Sequence, residues 1–256
     1  MKLNKYDIYL IYDKPINVNG LILYPITLDK YIEFTLCVSC LLLDKNSIPD
    51  AKIISMSYLE YLIYLYNGNN ETFFTMLDYL LKLVLKRPDS KISFGTNKNG
   101  RGFFAIDGVS YDNSVFDEIR EVICVQNSIE LPDENIQKEI RDKMEEARKL
   151  KRRLSKSSPA PFEDQMVCAM IATGLSMEEI YNLTIRKFVK ILERANAKLH
   201  YEIYLASSIN GVTKFKDTSF IKHWMTELET DKNSDVTIGM DNLTNKISLG
   251  DKKIKQ

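Results

Sequence analysis

Residues 16–43 read INVNGLILYPITLDKYIEFTLCVSCLLL, and this stretch decides the fold class. Its Asn19-Gly20 pair stands between two short apolar runs, which is the strongest local signal for a hairpin closed by a type I′ turn. Pro25 ends the second strand, and Thr27 can cap a helix whose apolar residues keep roughly helical spacing. A small hairpin followed by a buried helix predicts an α+β fold.

The rest of the first half repeats this mixture of helices and hairpins. Residues 67–70, NGNN, interrupt two apolar helical runs. The strand-like stretches at 91–96 and 102–108 flank turn residues and predict a second hairpin. Asp112 or Ser114 can then cap another helix. This half is therefore predicted to be mostly helical, with two small β-hairpins.

Residues 133–156 differ sharply in composition from what precedes them. They carry dense mixed charge, few apolar residues, and neither glycine nor proline, which is typical of a solvated or partner-facing helix. The few apolar residues recur every three or four positions and predict one narrow seam of a coiled coil. The seam consists of Ile136, Ile140, Met144, Ala147 and Leu150. It is short, so it would bind weakly on its own.

Prolines and helix caps mark a separate helical region after the charged segment. Residues 157–161, SSPAP, are predicted to be a linker because proline interrupts helices. A helix over 162–173 is predicted to end at Gly174, and Ser176 with Glu179 forms a capping box for the next one. A second folded domain is expected to begin here.

Two further helices complete the predicted domain. Thr184 can cap a long helix that ends at Asn210-Gly211, and residues 219–228, SFIKHWMTEL, are predicted to form a last helix carrying Trp224. The polar composition beyond residue 229 predicts a flexible tail. The predicted organisation is an N-terminal α+β domain over 1–132, a charged helix and Ser/Pro linker over 133–161, a C-terminal all-helical domain over 162–229 and the tail over 230–256.

The cysteines do not predict a metal or redox centre. Cys37 and Cys40 form a CxxC pair, but zinc needs two more Cys or His ligands at workable spacing. The two histidines, His200 and His223, lie far along the chain. A spacing of three within an apolar helical run instead favours two buried thiols on one helix face. We expect no metal and no cofactor.

No constellation of residues predicts catalysis. A nucleophile needs a base held beside it, and neither histidine stands in a recognisable motif. The glycines between residues 95 and 108 match no phosphate-binding pattern and are typical of hairpin turns. The chain is therefore expected not to be an enzyme. An unrecognised site that combines His200 or His223 with a carboxylate stays open as a minor alternative.

A helix-turn-helix arrangement over residues 162–198 is the alternative reading of the C-terminal region. Its long helix carries a stripe of basic residues: Arg186, Lys187, Lys190, Arg194 and Lys198. A recognition helix should present donors such as Arg, Asn or Gln in its first turns, whereas the helix after Gly174 begins with Glu178 and Glu179, which repel phosphates. A nucleic-acid-binding regulator is the second hypothesis, and nucleic acid is not the expected partner.

Composition and charge favour a soluble protein whose partners are other proteins. The 35 basic and 35 acidic residues cancel, so no global field attracts the chain to nucleic acid or to an anionic membrane. No apolar run approaches the ~20 residues of a membrane-spanning helix. The start, MKLNKYDIYLIYDKP, lacks the uninterrupted apolar core of a signal peptide. We expect a cytosolic protein without a membrane partner.

Two blocks of the sequence resemble phage proteins. The order of hairpin, YPITLDKYIEF helix, apolar helices, AIDG hairpin and NSVFDEIREVICVQN helix resembles small proteins encoded in the tail-gene region of contractile-tailed phages. These include the baseplate hub assembly proteins of T-even phages. The block from EDQMVCAMIATGLSMEEIYNL to FIKHWMTEL resembles a module of phage proteins from similar gene neighbourhoods.

The resemblance implies a virion structural or assembly protein of the tail or baseplate, as a hub component or a tail assembly chaperone. It implies no catalytic residues. The partners would be other phage tail or baseplate proteins, with homo-oligomers left open, and the location would be the host cytoplasm during assembly or the virion tail. The residues expected to bind a partner are the seam and the tryptophan of the last helix: Ile136, Ile140, Met144, Leu150 and Trp224.

Overall fold

The computed structural model describes residues 5–45, 48, 50–68, 71–132, 138–155, 160–210, 215, 218 and 221–227. The helices are α1 (Asp7–Ile11), α2 (Tyr31–Val38), α3 (Ala51–Ser55), α4 (Tyr58–Asn67), α5 (Thr72–Leu85), α6 (Asn113–Gln126), α7 (Lys138–Ser155), α8 (Phe162–Thr173), α9 (Met177–Tyr181) and α10 (Ile185–Ile209). The strands are β1 (Ile16–Val18), β2 (Leu21–Leu23), β3 (Ile92–Thr96), β4 (Gly102–Ile106) and β5 (Val109–Asp112). The α+β, mostly α class is confirmed.

The chain divides into two compact units. The first contains residues 1–135 and 161–196, and the second contains 136–160 and 197–256. In the first unit, α4 packs against α5 and against α6, and all three helices contact the sheets. The largest buried side chains of this core include Phe34, Tyr58, Phe104 and Phe116.

The first hairpin forms as the Asn-Gly pair predicts. Asn19 and Gly20 both have positive φ, +48° and +88°, which is the backbone that a type I′ turn requires. Strands β1 and β2 pair in antiparallel register, and their inward residues Ile16, Val18, Leu21 and Leu23 are buried. The alternation of buried and exposed residues fixes which face of the hairpin meets the core.

The second hairpin is confirmed, and the structure adds a strand that the sequence analysis did not predict. β3 pairs with β4, and β4 pairs with β5, both antiparallel. Asp107 and Gly108 have φ of +50° and +84°, so a second tight turn joins β4 to β5. Asp112 at the end of β5 then accepts the N–H groups of Ser114 and Val115 and caps α6.

The helix after the first hairpin is shorter than predicted. The apolar spacing after Thr27 predicts a helix over residues 28–46, but α2 ends at Val38 and a 3-10 turn covers Ser39–Leu41. The hydroxyl of Tyr58 explains the ending, because it donates to the Cys40 carbonyl at 2.9 Å and accepts the Leu43 N–H at 2.8 Å. A buried side chain of α4 thus satisfies backbone groups that a longer helix would have paired internally.

Glu60 of α4 links a helix cap to the three-stranded sheet and to α6. It closes the capping box with Ser57, and its other oxygen accepts from Asn113 Nδ2 at 2.9 Å and from the Gly102 N–H at 3.3 Å. Burial alone would raise the pKa of Glu60, but the hydrogen bonds that it accepts outweigh burial and hold this pKa below its usual value. The ionised carboxylate therefore stabilises the junction of α4, β4 and α6.

The contacts of Glu60 with β4 and α6 leave no room for a side chain at Gly102. A Cβ at this position would lie 3.0 Å from Asn113 Oδ1 and 3.1 Å from Glu60 Cγ. We expect Gly102→Ala to lower the free energy of unfolding by about 1–3 kcal/mol, because the crowded groups must shift. Urea titration followed by circular dichroism measures the loss. Ser110→Ala on the exposed face of β5 is the control, expected to stay within about 0.5 kcal/mol of wild type.

Residues 161–196 pack against the N-terminal part, which differs from the predicted division at residue 162. The Leu28 N–H donates to the Leu183 carbonyl and the Ile185 N–H donates to the Ile26 carbonyl, both at 2.9 Å. The ring of Tyr31 on α2 stacks on that of Phe162 on α8, with the centroids 4.1 Å apart. These backbone and aromatic contacts explain why α8, α9 and the start of α10 belong to the first compact unit.

The caps predicted in this region are confirmed. Ser176 and Glu179 form the capping box of α9, Gly174 ends α8 in the left-handed conformation, and Thr184 Oγ1 accepts the Lys187 N–H at the start of α10. Such caps depend on residues close together in the sequence, so they can be predicted without knowledge of the packing.

The prediction of a last helix around Trp224 is wrong for the residues that the structure describes there. Residues 221–227 contain a turn instead of a helix. The His223 carbonyl accepts the Thr226 N–H at 2.9 Å and the Thr226 hydroxyl at 2.7 Å. These local bonds close a single turn around Trp224. The predicted tail over 230–256 and linker residues 157–159 lie outside the described residues.

Candidate interaction surfaces

Helix α1 is fixed to the first unit by one of its faces. Tyr6 and Leu10, one helical turn apart, are buried, and the Tyr6 hydroxyl donates to Glu118 on α6 at 2.9 Å. Lys5 also pairs with Glu118. The two side chains that point inward thus anchor a short helix whose own length would not make it stable.

The start of α10 holds α1 from a second direction. Lys187 forms an ion pair with Asp13 at 2.6 Å, and the Thr184 hydroxyl donates to the same carboxylate at 3.2 Å. Arg186 Nη1 donates to the Leu10 carbonyl at 3.3 Å. Because both ends of α1 are fixed, its outward side chains are presented on a rigid support.

Those outward side chains form the densest group of exposed large apolar residues in the described part of the first unit. They are Ile8 (56% exposed), Tyr9 (43%), Ile11 (50%) and Tyr12 (66%), which we call the α1 surface. Residues three or four apart neighbour one another on a helix. This spacing links Ile8 to Ile11 and Tyr12, and Tyr9 to Tyr12, so the four make one continuous patch. Clustered exposed apolar residues mark interaction sites more often than scattered ones.

The α1 surface was not predicted from the sequence. The start of the chain, MKLNKYDIYLIYDKP, was interpreted only as lacking the apolar core of a signal peptide. The signal lay in YDIYLIY, residues 6–12, where six of the seven residues are apolar or aromatic. A helix this short can bury only one face, so some of them had to be exposed. Which ones are exposed depends on Glu118, Arg186 and Lys187, far away in the sequence.

Smaller apolar surfaces lie on α2 and α8. Ile32 and Leu36 on α2 are both largely exposed and one helical turn apart. On α8, Val167 and Ile171 have the same spacing and are also exposed. Each pair is a two-residue patch, which is common on the surface of monomeric proteins.

The residues that were predicted to bind a partner lie in different elements of the structure. Ile140 and Leu150 are exposed on α7, and Met144 on the same helix is half-buried. Trp224 is half-buried in the turn at 221–227, with its ring centroid 5.8 Å from that of His223. Ile136 lies outside the described residues. The seam is therefore described in part, and Trp224 is not on a helix.

The cysteines are placed as ordinary core or surface residues. Burial raises the pKa of Cys40 to about 12 and that of Cys124 to about 11, and it also raises the pKa of Cys37. At neutral pH these three thiols stay protonated, whereas nucleophilic attack requires the thiolate. Within the described ranges, no group of three or more His, Cys, Asp or Glu residues is placed to hold a metal ion.

A cleft of about 670 Å³ lies between the start of α2 and the end of α5. Several of its charged and polar groups are paired with one another. Glu33 accepts from the Tyr79 hydroxyl at 2.8 Å and from Lys30 at 3.1 Å, and these hydrogen bonds lower the pKa of Glu33. Asp78 pairs with Lys82 at 2.8 Å. Glu33 therefore stays ionised near neutral pH and is poorly suited to donate a proton.

The basic stripe of α10 is largely engaged in contacts within the protein. Arg186 and Lys187 hold α1 and Asp13, as described above. Lys190 pairs with Glu193 at 2.7 Å, and Lys198 lies 3.8 Å from Glu202. A phosphate backbone would have to compete with these carboxylates, which reduces the cations available for nucleic-acid binding.

Among the described residues, no helix is both long enough and apolar enough to cross a membrane. This agrees with the sequence, in which no apolar run approaches the ~20 residues of a membrane-spanning helix.

Comparison with known proteins gives one finding. Residues 154–229 match the family model of the YomV second domain. A search of curated proteins and a search of solved structures found no match. The matched segment contains α8, α9 and α10, the helices that follow the charged α7. YomV is encoded by a Bacillus phage, and the match therefore suggests that this chain, similar to YomV over that segment, is a phage protein.

Proposed function

We propose that the chain is a non-enzymatic phage protein that acts through protein contacts in tail or baseplate assembly, either as a hub component or as a tail assembly chaperone. The match to the YomV second domain supports a phage origin. The tail or baseplate role rests on the resemblance of the N-terminal block to proteins of the tail-gene region. Its place of action would be the host cytoplasm during assembly or the virion tail.

The α1 surface is the observation that carries this proposal. Moving a fully exposed Ile or Tyr side chain out of water contributes about 1.5–3 kcal/mol, and half-exposed side chains contribute proportionately less. Four such residues together give a contribution of the same order as the cost of association. Because α1 is already held by Glu118 and Asp13, binding would require little further ordering of this helix.

Purification of the tagged full-length chain from cells that are producing the phage tests the proposal. We expect tail or baseplate subunits to co-purify, identified by mass spectrometry and enriched over an equally tagged, unrelated phage protein. A chain that elutes as a stable monomer and carries no tail or baseplate subunit would contradict the proposal.

Mature particles distinguish the two forms of the proposal. A hub component would remain in purified virions at a fixed ratio to the other baseplate subunits. An assembly chaperone would co-purify with tail intermediates in the cytoplasm and be absent from virions. Immunodetection of the chain in both fractions makes the distinction.

A further inference from the structure

Helix α7 has an apolar side that its own unit leaves exposed. Ile140 is 50% exposed and Leu150 is 57% exposed, although Leu and Ile are among the residues most often found inside proteins. Ala147 between them is exposed as well. Within the second unit, the described part of α10 does not pack extensively against α7. Most of the stability of a helix in a protein comes from the packing of its apolar face, so α7 gains stability if another helix covers this side.

The charges of α7 are unevenly distributed along its length. Residues 138–146 contain three basic and four acidic residues, whereas residues 147–155 contain five basic residues and no acidic one. Acids near the helix start and bases near its end complement the macrodipole of a single helix. The same distribution makes the two halves electrostatically different, so a second helix of the same sequence would pair better in the opposite direction than in the same direction.

We propose that α7 binds the α7 of a second copy of this chain in an antiparallel pair. Placing Ile140 of one copy opposite Leu150 of the other lets this apolar contact form twice around a twofold axis, the commonest symmetry of protein dimers. In this register each basic half lies alongside the half that contains the acids. A parallel pair would instead place the two basic halves side by side, where like charges repel.

This inference does not depend on the proposed function, because it uses α7 rather than the α1 surface. The partner that it assigns to the seam is a second copy of the chain. The tests below would also reveal a different protein bound to the seam, or no bound protein at all.

Mass measurement of the full chain tests the pairing. Light scattering during size-exclusion chromatography should give twice the 29.6 kDa of one chain. Ile140→Asp and Leu150→Asp should each raise the dimer dissociation constant at least about tenfold, because a charge replaces a buried apolar group. Ile171→Asp, on the exposed face of α8, should leave the dimer intact. A mass of one chain at concentrations up to about 100 μM would overturn the pairing.

Disulfide trapping tests the direction of the pair. In a Cys168→Ser background, which removes an exposed native thiol, Ile140→Cys and Leu150→Cys chains should cross-link to each other when mixed and much less to themselves. Cross-linking of Ile140→Cys mainly to itself would indicate a parallel pair and would overturn the proposal. So would Ile140→Cys or Leu150→Cys chains that cross-link only to a different protein. Circular dichroism checks that each variant keeps its helix content.

Discussion

Phe188→Ala is expected to destabilise the whole first unit, by about 3–5 kcal/mol in the free energy of unfolding. Phe188 is 3% exposed on α10, and its ring packs edge-on against Phe162 with the centroids 5.9 Å apart. Phe162 in turn stacks on Tyr31 of α2. Removing the ring leaves a cavity in the cluster that joins residues 161–196 to the N-terminal part, so both parts lose packing at once.

Hydrogen exchange measured by mass spectrometry tests whether the loss is shared. If residues 161–196 belong to the first cooperative unit, Phe188→Ala should speed exchange of the amides of β1, β2 and α6 as well as those of α8 and α10. Leu199→Ala, at an exposed position further along α10, should change the free energy of unfolding by less than about 0.5 kcal/mol. Faster exchange confined to 161–196 would mean that this segment folds as a separate domain.

Ile8→Asp and Tyr12→Asp are expected to remove most of the co-purifying tail or baseplate subunits. Both side chains are more than half exposed, so the folded chain should tolerate the changes, whereas a bound partner would bury a charge in place of an apolar group. We expect the amount of co-purified subunit to fall at least about tenfold for each variant. Quantitative mass spectrometry of the purified complexes, normalised to the tagged chain, gives this ratio.

Val109→Asp is the matched control for the α1 variants. Val109 on β5 is 56% exposed, the same fraction as Ile8, and it lies outside the α1 surface. It should co-purify the same subunits as wild type. Equal recovery from Ile8→Asp, Tyr12→Asp and Val109→Asp would mean that α1 does not bind the partner. Thermal melts followed by circular dichroism show whether any variant has lost its fold.

Local features of this fold could be predicted because nearby residues determine them. Asn19-Gly20 supplies the two positive φ angles of its turn, and the Ser176 capping box pairs residues only three positions apart. The sequence did not predict β5, because this strand has only four residues. The turn signal before it, Asp107-Gly108, was interpreted as the end of the hairpin. A local pattern was therefore sufficient for caps and turns but not for a short edge strand.

Features that depend on distant residues could not be predicted in the same way. The end of α2 is set by the Tyr58 hydroxyl. The docking of 161–196 depends on backbone hydrogen bonds such as the one between Leu28 and Leu183, which are far apart in the sequence. The SSPAP segment has the composition of a linker, yet helices that follow a linker can still pack against those that precede it. The α1 surface also depends on residues that are distant in the sequence, because Glu118 and Lys187 orient α1.

A photo-cross-linking residue placed at Tyr12 tests the central claim most directly, since it reports what touches the α1 surface in cells that are producing the phage. The account predicts a covalent adduct with a tail or baseplate subunit at position 12 and little or none when the same residue replaces Val109. Illumination that yields no adduct at position 12, or only an adduct with proteins outside the tail and baseplate, would contradict the account.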